Sequence, residues 1–189
     1  MFYVIVILIA ILLTSLGNLL FIHPLTLLDV EKTIFSVSFG AIAVIGVDGL
    51  TALIIRRLLP NRWFAASRKL YTVSHGEHRF YQRLKIKAWK DLVPELGGFT
   101  DFHKDKLQSA NDSAYLERFL LESNYGVVIH LANALFGFVI MFIPFCKHPA
   151  VWIPVFTVNC VLSLLPVAVL RYNTYTLSRL YQRSLRHTS

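Results

Sequence analysis

The chain has 189 residues, 55% hydrophobic and 16% charged, with a formal net charge of +8 and a mean hydropathy of +0.55. Soluble domains run at about 45–50% apolar and about 25% charged, so these figures exclude a disordered chain and argue against an ordinary soluble globule. The only two cysteines, Cys146 and Cys160, lie in apolar runs, which excludes a disulfide scaffold.

A helix needs roughly 20 mostly apolar residues to cross a bilayer core. The first such run is 1–22, closed by His23 and Pro24. Its opening residues Met1, Phe2 and Tyr3 carry no basic side chain, and the run is too long for a signal peptide, so a retained helix is expected. The second run, 33–55, stops at Arg56 and Arg57. Residues 56–125 form a basic stretch too poor in aliphatic side chains for a confident core of its own. Within it, Trp63, Phe64, Leu70 and Tyr71 recur at helical spacing among Arg62, Arg68 and Lys69, the pattern of a helix lying at the membrane surface. Farther on, Phe80, Tyr81, Leu84 and Ala88 fit a helix face, while 84–89 also alternates partly like a strand; periodicity does not separate the two. Pro94, Gly97 and Gly98 mark a loop. A helical pattern resumes at Asp112, with Asp112 or Ser113 as cap, and passes through Tyr115, Phe119 and Leu120 into a third run, 126–146. Lys147, His148, Pro149 and Ala150 separate it from a fourth, 151–170, closed by Arg171.

The expected fold is therefore all-α: one integral membrane domain, 1–189, built as a bundle of four transmembrane helices with a basic interfacial segment between the second and third. Between Arg56 and Lys90 there are ten Lys or Arg and one acid, Glu77; from Arg171 to the end there are four Arg and no acid. The two short loops on the other side hold only Lys32 and Lys147 as basic residues. The positive-inside rule places the basic segment and both termini in the cytoplasm of a multi-pass cell-membrane protein. The bilayer is thus the first partner, and nucleic acid is not expected despite the charge.

Polar groups inside a span are expensive and call for a reason. Asp48 lies about two turns from the end of the second run, His130 about one turn inside the third with Asn133 nearby, and Asn159 in the fourth. His130 reads either as a general base near the membrane surface or as a histidine hydrogen-bonded between helices; Asp48 reads as a structural pairing or as a functional group. Glu122 is eight residues before His130, which on a helix is about 12 Å of rise and roughly 80° of rotation, so the two do not touch directly. The block Trp89, Lys90, Asp91, Pro94, Glu95 offers cations for phosphate and carboxylates for proton transfer, or is a solvated basic loop. His75 and His78 are too few for a metal, since zinc needs three or four ligands. Asn111-Asp112-Ser113 is a formal glycosylation sequon on the expected cytoplasmic side. No Walker, nucleophile-elbow or dinucleotide motif is present; no cofactor is expected.

The run Phe80-Tyr81-x-Arg83-Leu84-x-Ile86-Lys87-x-Trp89-Lys90-Asp91-x-x-Pro94-Glu95 resembles the central motif of the glycosyl-4,4'-diaponeurosporenoate acyltransferases, small membrane proteins that place a fatty acyl chain on the sugar of a glycosylated carotenoid acid. Glu122 and His130 keep the separation of that family's E-T-x-R-A-E-x-x-H segment, and Arg171-Tyr172-Asn173 with Leu177 matches its R-Y-N-x-x-x-L element. Tyr125 and Val127 stand where the family has Arg and Glu, and Thr174 where it has the arginine after R-Y-N, which implies a different donor or acceptor headgroup. The resemblance implies acyl transfer from an activated donor, acyl-CoA or acyl carrier protein, to a lipid-linked hydroxyl such as that of a glycosylated carotenoid, with the acyl chain between the spans. On motif position and chemistry, His130 is the expected base, assisted by Glu122, Asp91 or Glu95. Arg83, Lys87, Lys90 and Arg171 are expected to hold phosphate or developing charge, Phe80, Tyr81 and Trp89 to seat the motif, and Tyr172 and Asn173 to complete the substrate site. The competing reading is a non-enzymatic membrane subunit or lipid-binding adaptor. An enzyme gathers the motif residues, and an adaptor scatters them over its surface. Another lipid-modifying transferase is a third reading, disfavoured by the missing cofactor signature.

Overall fold

The computed structural model describes residues 2–21, 27–93 and 112–188. Among them there is no strand. The helices are α1 (Phe2–Phe21), α2 (Leu27–Leu58), α3 (His75–Arg83), α4 (Ile86–Trp89), α5 (Ser113–Phe136) and α6 (Pro149–Thr188). Short 3-10 turns occupy Asn61–Trp63, Lys69–Tyr71, Lys90–Leu92 and Gly137–Phe142. Three helical stretches are long and apolar enough to cross a membrane: Val30–Leu58, Ser113–Phe142 and Pro149–Arg186. These mark a membrane protein. The apolar part described in α1, Ile5–Phe21, is shorter, so three crossings rather than the expected four meet the length criterion.

The helices also overrun the expected boundaries. Asp112 does cap α5: its Oδ1 accepts from the amides of Ala114 at 2.9 Å and Tyr115 at 3.2 Å. This helix starts where expected, but α2 begins at Leu27, ahead of the expected run, and α6 continues far past Arg171. The stretch 84–89 is not extended: Leu84 and Lys85 form a turn and Ile86–Trp89 is helical.

The chain divides into two compact units. The first comprises Met1–Leu53 and Leu131–Leu164, and the second Ile54–His130 and Leu165–Ser189. In the first, the apolar unit, Val37 and Val44 pack with Ile140, Cys146, Val151 and Val155. Gly40 admits the Cys146 sulfur, which would lie 3.3 Å from a Cβ at that position. The Asn18 amide donates to the Ala150 carbonyl at 2.8 Å, a polar tie of the kind that joins helices where no hydrophobic drive does. Leu12, Leu13, Ile42, Leu50, Leu135 and Phe142 are exposed on this unit, as lipid-facing side chains would be.

The second, polar unit has its own core of Leu116, Phe119, Leu120 and Leu177, with Ala66, Tyr115, Leu180 and Tyr181 against it. Phe64 is almost fully buried and stacks on Tyr125, ring centroids 3.7 Å apart. The Asn124 amide donates to the Phe64 carbonyl at 2.8 Å, and the Tyr125 hydroxyl donates to Asn61 Oδ1 at 2.8 Å. These bonds fix the turn after α2 against α5.

Candidate functional site

The motif residues of the polar unit are positioned by α3, and α3 is positioned by its caps. Ser74 Oγ accepts the Glu77 amide at 3.1 Å, the N-terminal half of a capping box. Capping boxes return the glutamate carboxylate to the cap residue. Here it does so and also grips Arg171: Arg171 Nε donates to Glu77 Oε1 and Nη2 to Oε2, both at 2.8 Å. This fork is the strongest geometry a guanidinium and carboxylate adopt. Arg171 also donates to the Tyr71 carbonyl at 3.1 Å and the Thr72 carbonyl at 3.4 Å. The Tyr81 hydroxyl donates to Glu77 Oε1 at 3.1 Å. Burial alone would raise the Glu77 carboxyl, but hydrogen bonds from Arg171, the Arg171 charge and the bonds from Tyr81 and Ser74 outweigh it and hold Glu77 below its usual range. Burial, then the Glu77 charge, push the Tyr81 phenol up, so it stays a donor at neutral pH.

Next to Glu77 on α3, His78 is buried between two aromatic rings of α6. Its centroid lies 5.1 Å from Tyr172 and 4.1 Å from Tyr175, with interplanar angles of 14° and 15°. Gln82 Nε2 lies 3.2 Å from His78 Nε2, which fits an amide donating to the ring and leaves the proton on Nδ1. That Nδ1 is buried and has no hydrogen-bond partner. Burial and then the nearby His75 lower the His78 pKa, so the ring is neutral at pH 7. His75 is engaged separately: Arg79 Nε donates to its Nε2 at 3.0 Å, and its Nδ1 is 3.1 Å from the Tyr175 hydroxyl. Neither histidine therefore offers a shared metal position, and no group of three His, Cys, Asp or Glu gathers among the described residues.

The α3–α4 junction carries the rest of the central motif. Lys85 is left-handed, φ 53° and ψ 37°, which turns the chain sharply between the two helices. The Trp89 indole N–H donates to the Leu84 carbonyl at 3.0 Å and closes that turn, with Ile86 fully buried beneath. Phe80, Arg83, Lys85 and Lys87 are exposed, Trp89 and Lys90 half-buried. The Asp91 side chain is 89% exposed, 3.9 Å from Lys90. Glu95 lies outside the described residues, as does Pro94.

Glu122 belongs to a second cluster. Arg56 Nη2 donates to Glu122 Oε2 at 2.9 Å, and the same guanidinium lies over the Tyr125 ring, 5.3 Å from its centroid. A cleft of about 370 Å³ opens nearby, lined by Asn61, Arg62, Ala65, Ala66, Glu117 and Arg118 among others. His130 is half-buried on α5, and Asn173 half-buried on α6.

The structure thus brings Tyr81, Arg171 and Tyr172 together around Glu77 and His78, two residues that sequence spacing singled out only as metal candidates or not at all. Their i, i+4 and i, i+1 relations on α3 were readable; their partners 94 residues away were not. Asp91 stands apart at the surface. The departures from the family pattern fall on packing positions: Tyr125 and Val127 are buried, and Thr174 is buried with its hydroxyl donating to the Leu170 carbonyl at 2.8 Å.

No curated protein and no solved structure matches the chain. A family model does, that of glycosyl-4,4'-diaponeurosporenoate acyltransferase, over residues 60–183. That interval holds the α3 motif, Glu122 and the Arg171 element, well over half of the molecule, and the chain belongs to the glycosyl-4,4'-diaponeurosporenoate acyltransferase family.

Proposed function

We propose that the protein is an integral membrane acyltransferase that moves a fatty acyl group from a thioester donor, acyl-CoA or acyl carrier protein, to a hydroxyl of a lipid-linked sugar at the cytoplasmic face of the cell membrane. The observation that carries this reading is the meeting of distant family-motif segments in one polar unit. Arg171 and Tyr172 of α6 close on Glu77, His78 and Tyr81 of α3. A lipid-binding adaptor has no need to lock these segments together.

In this reading His130 takes the proton of the attacking hydroxyl. The hydroxyl oxygen bonds to the thioester carbon, the carbon–sulfur bond breaks, and the leaving thiolate receives the proton from His130. Glu122, already held by Arg56, fixes the α5 surface that carries the histidine. Arg83, Lys87 and Lys90 face the donor's phosphates as exposed or half-buried cations. Arg171 has a different role from the one its charge suggests. Four of its N–H directions end on protein oxygens, so it positions α3 rather than gripping a ligand. Asp91, solvated and beside Lys90, contributes to the charge of the surface rather than to proton transfer.

The test is reconstitution in nanodiscs with acyl-CoA and a glycosylated polyene acid, with the acylated product measured by mass spectrometry. His130→Ala should lower turnover by about 10²–10⁴, the usual contribution of a positioned general base. Full activity in a stably inserted His130→Ala protein would remove the histidine from the mechanism. Loss of all product formation in the wild type with any glycolipid acceptor would remove acyl transfer itself.

A further inference from the structure

The acyl-transfer reading makes no use of the cleft of about 370 Å³ in the polar unit. Two segments wall it: the turn after α2, with Asn61 and Arg62, and the start of α5, with Glu117 and Arg118. Ala65, Ala66 and Ala114 also line it, and their small side chains keep the space between the walls open. Ala114, Glu117 and Arg118 are three and four residues apart, so they share one face of α5. Arg62 and Arg118 are both exposed, and both guanidiniums reach the hollow. The acid of the lining, Glu117, bonds to the Tyr181 hydroxyl of α6. Asn61 Oδ1 accepts from Tyr125, which leaves the Asn61 amide nitrogen to donate. Two guanidiniums and an amide thus stand against one carboxylate. An arginine carries five N–H donors in a fork that matches phosphate oxygens, so it serves a protein partner and a phosphate together.

The position of the cleft selects the kind of phosphate. α2 is long and apolar enough to cross a membrane and ends at Leu58, three residues before Asn61. Arg62 therefore stands at the depth of lipid headgroups. The sequence pattern puts Trp63, Phe64, Leu70 and Tyr71 on one face of a surface helix. The structure forms two short 3-10 turns instead, and these split the four. Phe64 and Tyr71 are buried, whereas Trp63 is 49% and Leu70 78% exposed. Leu58 is 73% exposed. Large apolar side chains left open beside a cationic hollow suit a ligand with hydrocarbon as well as phosphate. A soluble phosphate ester would gain nothing from them.

We infer that this cleft binds the headgroup phosphate of an anionic phospholipid, between Arg62 and Arg118 with the Asn61 amide as a further donor, while the acyl chains leave over Leu58 and Trp63. The site shares no residue with the proposed acyl-transfer machinery and its readout is binding, so either reading can fail without the other.

The experiment is native mass spectrometry of the full chain released from detergent micelles, titrated with phosphatidylglycerol, phosphatidylcholine or coenzyme A. Phosphatidylglycerol should fill one site about tenfold more tightly than phosphatidylcholine, the effect of one to two nearby arginines on a net negative headgroup. Arg62→Gln and Arg118→Gln should each weaken phosphatidylglycerol by about tenfold or more, the loss of a charged hydrogen bond. Arg57→Gln removes an exposed cation at the same end of α2 but outside the cleft, and should change nothing. Ala114→Trp fills the hollow and keeps both arginines; it should also abolish the preference, and it stands in if the arginine variants do not fold. Equal binding of the two lipids by the wild type overturns the inference. So does a loss in Arg57→Gln matching that in Arg62→Gln, which would mean a diffuse basic surface, or a retained preference in Ala114→Trp. If the arginine substitutions weaken coenzyme A and leave phosphatidylglycerol unchanged, the cleft serves a soluble phosphate and the lipid assignment falls.

Discussion

Arg171 and Glu77 form the contact on which the geometry around α3 turns, and nothing in their local sequences pairs them. Glu77 was the single acid among ten cations, which reads as an accident of composition until its carboxylate is found gripped from α6. Arg171 reads from sequence as a ligand for phosphate because it ends an apolar run and opens a family motif; its actual partners depend on tertiary contact. The Glu77 and Arg171 side chains are 27% and 15% exposed, so the pair is partly solvated and its worth is set by hydrogen bonds more than by bare charge. Glu77→Gln should lower stability by about 1–2 kcal/mol, read from thermal unfolding in nanodiscs. The cost should largely vanish in an Arg171→Met background, since the two act as one unit. The pH dependence has a definite sign. The folded carboxyl lies below its usual 4.5, so the stability Glu77 supplies is fully present above pH 4.5. It is lost as pH falls through the lowered folded value. The wild-type advantage over Glu77→Gln should therefore be constant from neutral pH to about 4.5 and shrink below it. An advantage that grew on acidification would contradict the ion pair.

At the level of elements, the apolar runs announced four crossing helices, because lipid forces long uninterrupted hydrophobicity on a sequence; three are long and apolar enough among the described residues. Hydropathy hid the continuation of α6 past Arg171, whereas the helical period through Tyr115, Phe119 and Leu120 already carried α5 into the polar unit. There the buried face narrows to Leu116, Phe119 and Leu120 on α5 and Leu177 on α6, spaced at helical intervals among charges. The segment after Arg171 reads as a tail only when the eye follows hydropathy rather than period. The α3–α4 junction was ambiguous for another reason: its short apolar run fits two periods, and the deciding residue, Lys85, has no propensity that announces a left-handed turn. The Trp89 indole on the Leu84 carbonyl and the burial of Ile86 hold that turn against its intrinsic cost. Lys85→Gly should raise stability by roughly 0.5–1 kcal/mol, the relief of left-handed strain less the added freedom of the unfolded chain. Lys85→Val should lower it. Trp89→Phe removes the indole donor and should cost up to about 1 kcal/mol. Thermal unfolding of the three variants checks all of these, and a loss of stability in Lys85→Gly would mean that the lysine side chain itself holds the turn.

For the whole molecule, the open quantity is the number of crossings, because parity then fixes which ends share a side. α2, α5 and α6 each exceed the hydrocarbon thickness at 1.5 Å per residue. α1 has 20 residues, about 30 Å, and matches that thickness only if its whole length is used. Four crossings place the N-terminus with the basic segment; three place it opposite. The positive-inside rule argues for four, because it sets the basic segment and the Arg-rich end of α6 on one side and Lys147 and the Lys32 end of α2 on the other. Single cysteines decide this, introduced after both natural ones are replaced by alanine (Cys146 is fully buried and Cys160 half-buried). A membrane-impermeant maleimide should label Lys85→Cys and Arg186→Cys only in inverted vesicles, and Lys32→Cys and Lys147→Cys only in right-side-out ones. A cysteine appended before Met1 should follow Lys85→Cys if α1 crosses. If it follows Lys32→Cys instead, α1 lies along the far surface, and the exposed Leu8, Leu12 and Leu13 on it face an interface rather than the bilayer core.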